Sequence, residues 1–102
     1  MSKEVREREY VVWPQYFDCD LSRKYGRKVS RELCVSKPSI KEIELACLEL
    51  GFECRVNDSK LYPRSWFVTR GCVYIRCNTS KSSLLKLLAK KLQEIRQKRG
   101  AK

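Results

Sequence analysis

Histidine is absent from the 102-residue sequence, glycine and proline number only four and three, and no CxxC pair occurs among the six cysteines. Without histidine the chain lacks the side chain that most often moves protons near neutral pH. A GxxxxGK[ST] loop able to cradle phosphates is missing as well. The only close pair of aspartates, Asp18 and Asp20, stands among lysines and arginines. Loop aspartates in that setting form turns or pair with arginine far more often than they bind metal. These absences argue against a nuclease or an RNA-modifying enzyme, and no catalytic residue is assigned. A structural zinc site needs ligands at paired spacing, so neither zinc nor any cofactor is expected.

Long apolar runs are also lacking, and no apolar segment follows a basic N-terminus, so a cytoplasmic protein without a membrane helix or signal peptide is expected. Intracellular thiols are normally reduced. Cys19, Cys34, Cys47, Cys54, Cys72 and Cys77 are therefore expected as small buried hydrophobes, with a single bridge left open as in some hyperthermophile proteins.

Positive charge is what the sequence has in excess: 23 lysines and arginines against 12 acids, a net charge of +11. Residues 1–59 are balanced, with 11 of each sign, whereas residues 60–102 hold 12 basic side chains and a single acid, Glu94. Such an excess attracts polyanions at long range and gains affinity by releasing counterions condensed on phosphates, which places nucleic acid first among partners. An anionic membrane is the rival on charge alone.

The length suits one domain. Glu9-Tyr-Val-Val-Trp13 is β-branched and aromatic and ends at Pro14, which predicts a first strand. Ser39-Ile40-Lys41-Glu42 fits a capping box, and Ile40, Ile43, Cys47 and Leu50 share one helical face up to Gly51. Phe52, Cys54 and Val56 alternate with polar residues as a strand does, and Cys72–Cys77 is a third strand. Thr79 or Ser80 caps a last helix with the stripe Leu84, Leu85, Leu87, Leu88, Leu92 and Ile95, while Lys81, Lys86, Lys90 and Lys91 face water. That stripe is needed by the core, which removes the helix as a membrane-surface element. From Arg96 the chain is expected to fray. The expected fold is α/β (α+β), a small sandwich in the order strand-helix-strand-strand-helix. Its three-stranded antiparallel sheet packs on two helices, and a right-handed crossover places the third strand in the middle. Residues 1–8 are assigned to an N-terminal extension, 9–97 to the binding domain and 98–102 to a basic tail.

Two irregular segments interrupt this pattern. The first, from Gln15 to Ser36, carries Tyr16-Phe17-Asp18 and Ser22-Arg23-Lys24-Tyr25-Gly26-Arg27-Lys28. The second, from about Asp58 to Gly71, carries Lys60-Leu61-Tyr62-Pro63-Arg64-Ser65-Trp66. Structured RNA offers phosphates to Arg and Lys, unstacked bases to aromatic rings and guanidinium planes, and 2′-hydroxyls to small polar groups. Both loops supply that mixture. Gly26 permits close backbone approach, and Pro63 stiffens its loop before docking. The competing role for Tyr16, Phe17, Tyr62 and Trp66 is core packing at the ends of the domain.

The motifs Val12-Trp13-Pro14-Gln15-Tyr16-Phe17-Asp18, Ser22-Arg23-Lys24-Tyr25-Gly26-Arg27-Lys28-Val29 and Lys60-Leu61-Tyr62-Pro63-Arg64-Ser65-Trp66, in that order, resemble the 19-kDa RNA-binding subunits of the signal recognition particle. The resemblance spans residues 9–97. It implies a protein whose two loops clamp the tips of two neighbouring helices of the particle's RNA, and so promote assembly and recruitment of the GTPase subunit, mainly through the RNA. The particle serves co-translational protein targeting to membranes. On the family pattern Tyr16, Ser22, Arg23, Gly26, Arg27 and Lys28 fall in the first contact loop and Lys60, Tyr62, Pro63 and Arg64 in the second. Arg31, next in the basic run, is included. Ser30 stands where the family often has proline, and the short tail is similar to the compact archaeal form. A monomer without direct membrane binding is expected. A ribosomal or general structured-RNA-binding protein is the alternative.

Overall fold

The computed structural model describes residues 8–61 and 70–100, excepting the side chains of residues 61, 70, 99 and 100. Strand β1 spans Arg8–Val12, helix α1 Ile40–Glu49, β2 Glu53–Leu61, β3 Arg70–Cys77 and helix α2 Lys81–Gly100. The three strands form one antiparallel sheet in the order β1-β3-β2, so the last strand lies in the middle as expected. Val12 pairs with Val73, which in turn pairs with Val56, a β-branched row across the sheet.

The helix start follows from its sequence. Ser39 Oγ accepts from the Glu42 backbone N–H at 3.2 Å, and Glu42 Oε1 accepts from the Ser39 N–H at 3.0 Å, the reciprocal capping box. In α2 the capping side chain is Ser80, whose Oγ accepts from the Ser83 N–H at 3.4 Å. Ile43, Ala46 and Cys47 of α1 and Leu84, Leu88, Leu92 and Ile95 of α2 close over Val12, Val73 and Ile75 of the sheet, all buried. Leu87 departs from the expected stripe and is exposed, because at about 100° per residue it falls on the flank of the face that Leu84, Leu88 and Ile95 define.

The expected fraying from Arg96 is corrected. The backbone stays helical through Gly100, and the Arg96 guanidinium forms an ion pair with the buried Glu42. It also donates to the carbonyls of Ser36 at 2.8 Å and Lys37 at 3.2 Å. The last helix is thereby pinned to the end of the first loop and to the cap of α1. Gly71 is required where it stands. Its φ is +100°, where an L side chain is strained, and a Cβ there would run into Ile40 Cδ1 and lie 3.0 Å from the Asn57 carbonyl oxygen.

Candidate nucleic-acid interface

The first loop is built, not loose. Short 3₁₀ turns occupy Pro14–Phe17 and Arg23–Tyr25. Phe17 is fully buried, and the backbones of Asp18 and Val35 form a parallel bridge, with Cys19 N–H donating to Val35 O and Val35 N–H to Phe17 O, both at 2.8 Å. Buried Asp18 accepts from the backbone N–H groups of Asp20 (2.9 Å) and Lys37 (3.3 Å), which makes it a turn-former, as its setting predicted. The second of these bonds holds Lys37 at φ +47°, a conformation a lysine adopts only when its neighbours enforce it.

The bridge also brings Cys19 and Cys34 together, and they form a disulfide with a Cα–Cα distance of 5.1 Å. The expectation of reduced thiols is corrected for this pair. The two cysteines are 15 residues apart in a stretch without periodicity, so their approach depends on the Asp18–Val35 pairing. The other four cysteines are free; Cys47, Cys72 and Cys77 are buried, as expected for small hydrophobes. Burial pushes the thiols of Cys47 and Cys72 above their ordinary range.

Within this frame the basic residues occupy fixed places. The Tyr16 carbonyl accepts from the N–H groups of Lys28 (2.8 Å) and Val29 (3.3 Å), folding the basic run back over the first 3₁₀ turn. Ser22 is exposed and uses its carbonyl to receive the N–H groups of Tyr25 and Arg27, while Gly26, at φ +126°, turns the chain between them. The Tyr16 ring is buried, contrary to an open stacking surface, and it organises charge instead. Lys28 Nζ lies 5.5 Å and Lys81 Nζ 5.1 Å from its centroid, and Lys81 donates to its hydroxyl at 3.4 Å. Burial raises the phenol pKa. Arg27 is only 8 % exposed, yet its Nε and Nη1 have no hydrogen-bond partner among the described residues. Both nitrogens are closed to solvent, so their N–H groups carry a desolvation cost that no described acceptor offsets. Arg23, Lys28 and Arg31 are exposed, as is the ring of Tyr25.

The second loop is represented by its base. Lys60, at the end of β2, lies 5.6 Å from the Tyr74 ring, and Arg55 stacks on the same ring at 4.8 Å. The hydrogen bond with Tyr74 raises the Lys60 pKa. Tyr62, Pro63 and Arg64 lie outside the described residues, as does Trp66. Helical spacing predicts water-facing lysines at Lys81 and Lys86 of α2; Lys86 is exposed, and the fold sets both beside the basic run. Among the described residues no group of three or more Cys, Asp or Glu side chains is placed to hold a metal ion. Nor is any helix there long and apolar enough to cross a membrane.

Comparison with known proteins gives a consistent result. The SRP19 protein family model matches residues 11–95. The signal recognition particle 19 kDa protein of Ignicoccus hospitalis is 43 % identical over 94 residues, covering 92 % of this chain and 94 % of the relative. A solved SRP19, described in complex with the S domain of signal recognition particle RNA, is 41 % identical, with a TM-score of 0.77 over 81 % of this chain and 95 % of that one. The SRP19 of Pyrococcus furiosus, one of two proteins described as assembling the ribonucleic core of the particle, superposes with a TM-score of 0.81 at 40 % identity, over 93 % of this chain and 97 % of that one. With the fold and nearly the full length in common, this chain belongs to the SRP19 protein family.

Proposed function

We propose that this protein binds the S domain of signal recognition particle RNA and acts as an assembly subunit of the particle, not as an enzyme. The observation that carries the proposal is its 41 % identity to a solved SRP19 described in complex with that RNA. The first loop supports it physically, because backbone bonds, a disulfide and a buried ring fix Arg23, Arg27 and Lys28 before any ligand arrives. Preorganised cations lose little entropy on docking. In this reading Ser22, Arg23, Gly26, Arg27, Lys28 and Arg31 form the contact for one RNA helix tip, and buried Tyr16 supports Lys28 from beneath. Lys60, Tyr62, Pro63 and Arg64 form the contact for a second. Holding the two tips side by side favours the RNA shape that the particle's GTPase subunit recognises, and recruitment follows through the RNA. The protein works as a cytoplasmic monomer, with residues 9–97 as the binding domain.

Binding to S-domain RNA measured against excess bulk duplex tests the proposal. Binding that survives the duplex supports a particle-specific protein, and binding abolished by it supports a general structured-RNA binder.

A further inference from the structure

Between the basic run of the first loop and the first turns of α2 lies a cavity of about 470 Å³. Its volume falls in the range of small-molecule sites, roughly 300–1,000 Å³. Val29, Leu33 and Leu85 line it with apolar surface. Arg23 and Lys28 on the loop side and Lys81 and Lys86 on the helix side supply four cations, and among the described residues no acidic one lines it. Lys81 is fixed by Tyr16, whereas Lys86 has no ion pair among the described residues. The cavity also opens at the N-terminal end of a 20-residue helix, where the helix dipole favours an anion.

An apolar floor inside a ring of unopposed cations matches a ligand with a flat, weakly hydrated part joined to a phosphate. We infer that this cavity receives one unstacked nucleotide of the bound RNA, its base against Val29, Leu33 and Leu85 and its phosphates among Arg23, Lys28, Lys81 and Lys86. The inference rests on the RNA-binding reading and adds the first turns of α2 to the interface. The apolar floor distinguishes this site from a phosphate track, which needs charge alone. A base that enters it must leave its stack, so the site selects a loop or bulge over continuous duplex.

Ser82 is exposed and lines the cavity, so Ser82→Trp fills it while leaving every core residue and all four cations unsubstituted. Lys86→Gln removes one cation at a second exposed position. Both variants are first checked for native circular dichroism, then bound to S-domain RNA under chemical probing of unpaired base edges. In the wild type one unpaired base should be protected. Ser82→Trp should expose that base and weaken binding about tenfold, the range for loss of one stacked base, while backbone protections elsewhere persist. Lys86→Gln should reduce the salt slope by about one. Unchanged affinity and base protection in Ser82→Trp overturn the nucleotide site and leave the RNA-binding reading standing. If the wild type fails to bind S-domain RNA, that reading falls, and adenosine 5′-monophosphate decides the cavity. Shifts of the Val29 and Leu85 methyl resonances that are lost in Ser82→Trp retain it. No shifts, or the same shifts with inorganic phosphate, overturn it.

Discussion

Replacing Cys19 and Cys34 together by serine removes the covalent closure of the loop that carries Arg23, Arg27 and Lys28. The two residues are 15 apart, and in the chain-entropy account a loop of that length restricts the unfolded state by about 3 kcal/mol. The backbone bonds between Phe17, Cys19 and Val35 remain in the variant, so the folded loop keeps its shape and the loss falls mainly on the unfolded ensemble. With a urea slope of about 1.5 kcal/mol per M, the unfolding midpoint should drop by about 2 M. Urea titration followed by circular dichroism measures it. Dithiothreitol should bring the wild type to the same midpoint and leave the serine variant unmoved. RNA affinity at low denaturant should change much less than stability, because the contact residues stay in place. A midpoint within about 0.3 M of the wild type, or no mass change corresponding to two hydrogens on reduction, would refute the reasoning.

Arg96→Ala takes the guanidinium from the Glu42 carboxylate, 4 % exposed, and leaves it the Ser39 N–H, so it should cost about 3 kcal/mol in chemical denaturation, the low end for breaking a buried pair because the Arg96 side chain is one-third exposed. Gly71→Ala forces a Cβ into Ile40 at a positive φ and should destabilise by about 2 kcal/mol or more, measured the same way. Stability should fall as pH rises past about 9. Burial raises the pKa values of Tyr16, Cys47 and Cys72 in the folded state, so the unfolded chain gives up these protons first; Tyr16→Phe should flatten the decline in urea midpoints between about pH 9 and 11. Arg27→Ala should lower the slope of log affinity against log salt by about one. Arg64→Ala should cost about 1–3 kcal/mol of RNA binding and, in footprinting, deprotect only one helix tip.

By itself the sequence determined the elements and their faces. Ser39 and Glu42 set a helix start within one turn, and the alternation from Phe52 to Val56 set a strand with one wet side; both are local patterns that a few neighbouring residues complete. The motifs at Tyr16–Asp18, Ser22–Val29 and Lys60–Trp66 carried the family. The sheet order followed too, because an antiparallel hairpin and the handedness of the crossover leave one arrangement for three strands. Tertiary structure decided what depends on residues far apart in the chain. Cys19 meets Cys34 only through the Asp18–Val35 bridge, and Arg96 stays helical because Glu42, 54 residues earlier, receives it. Tyr16, legible as an aromatic in a basic loop, was equally compatible with stacking on RNA and with packing in the core. Its burial beneath Lys28 and Lys81 came from the way α2 crosses the loop. Lys81 and Lys86 join the basic run for the same reason: helical periodicity says which side of a helix faces away from the core, but only the packing of that helix says what lies beside it.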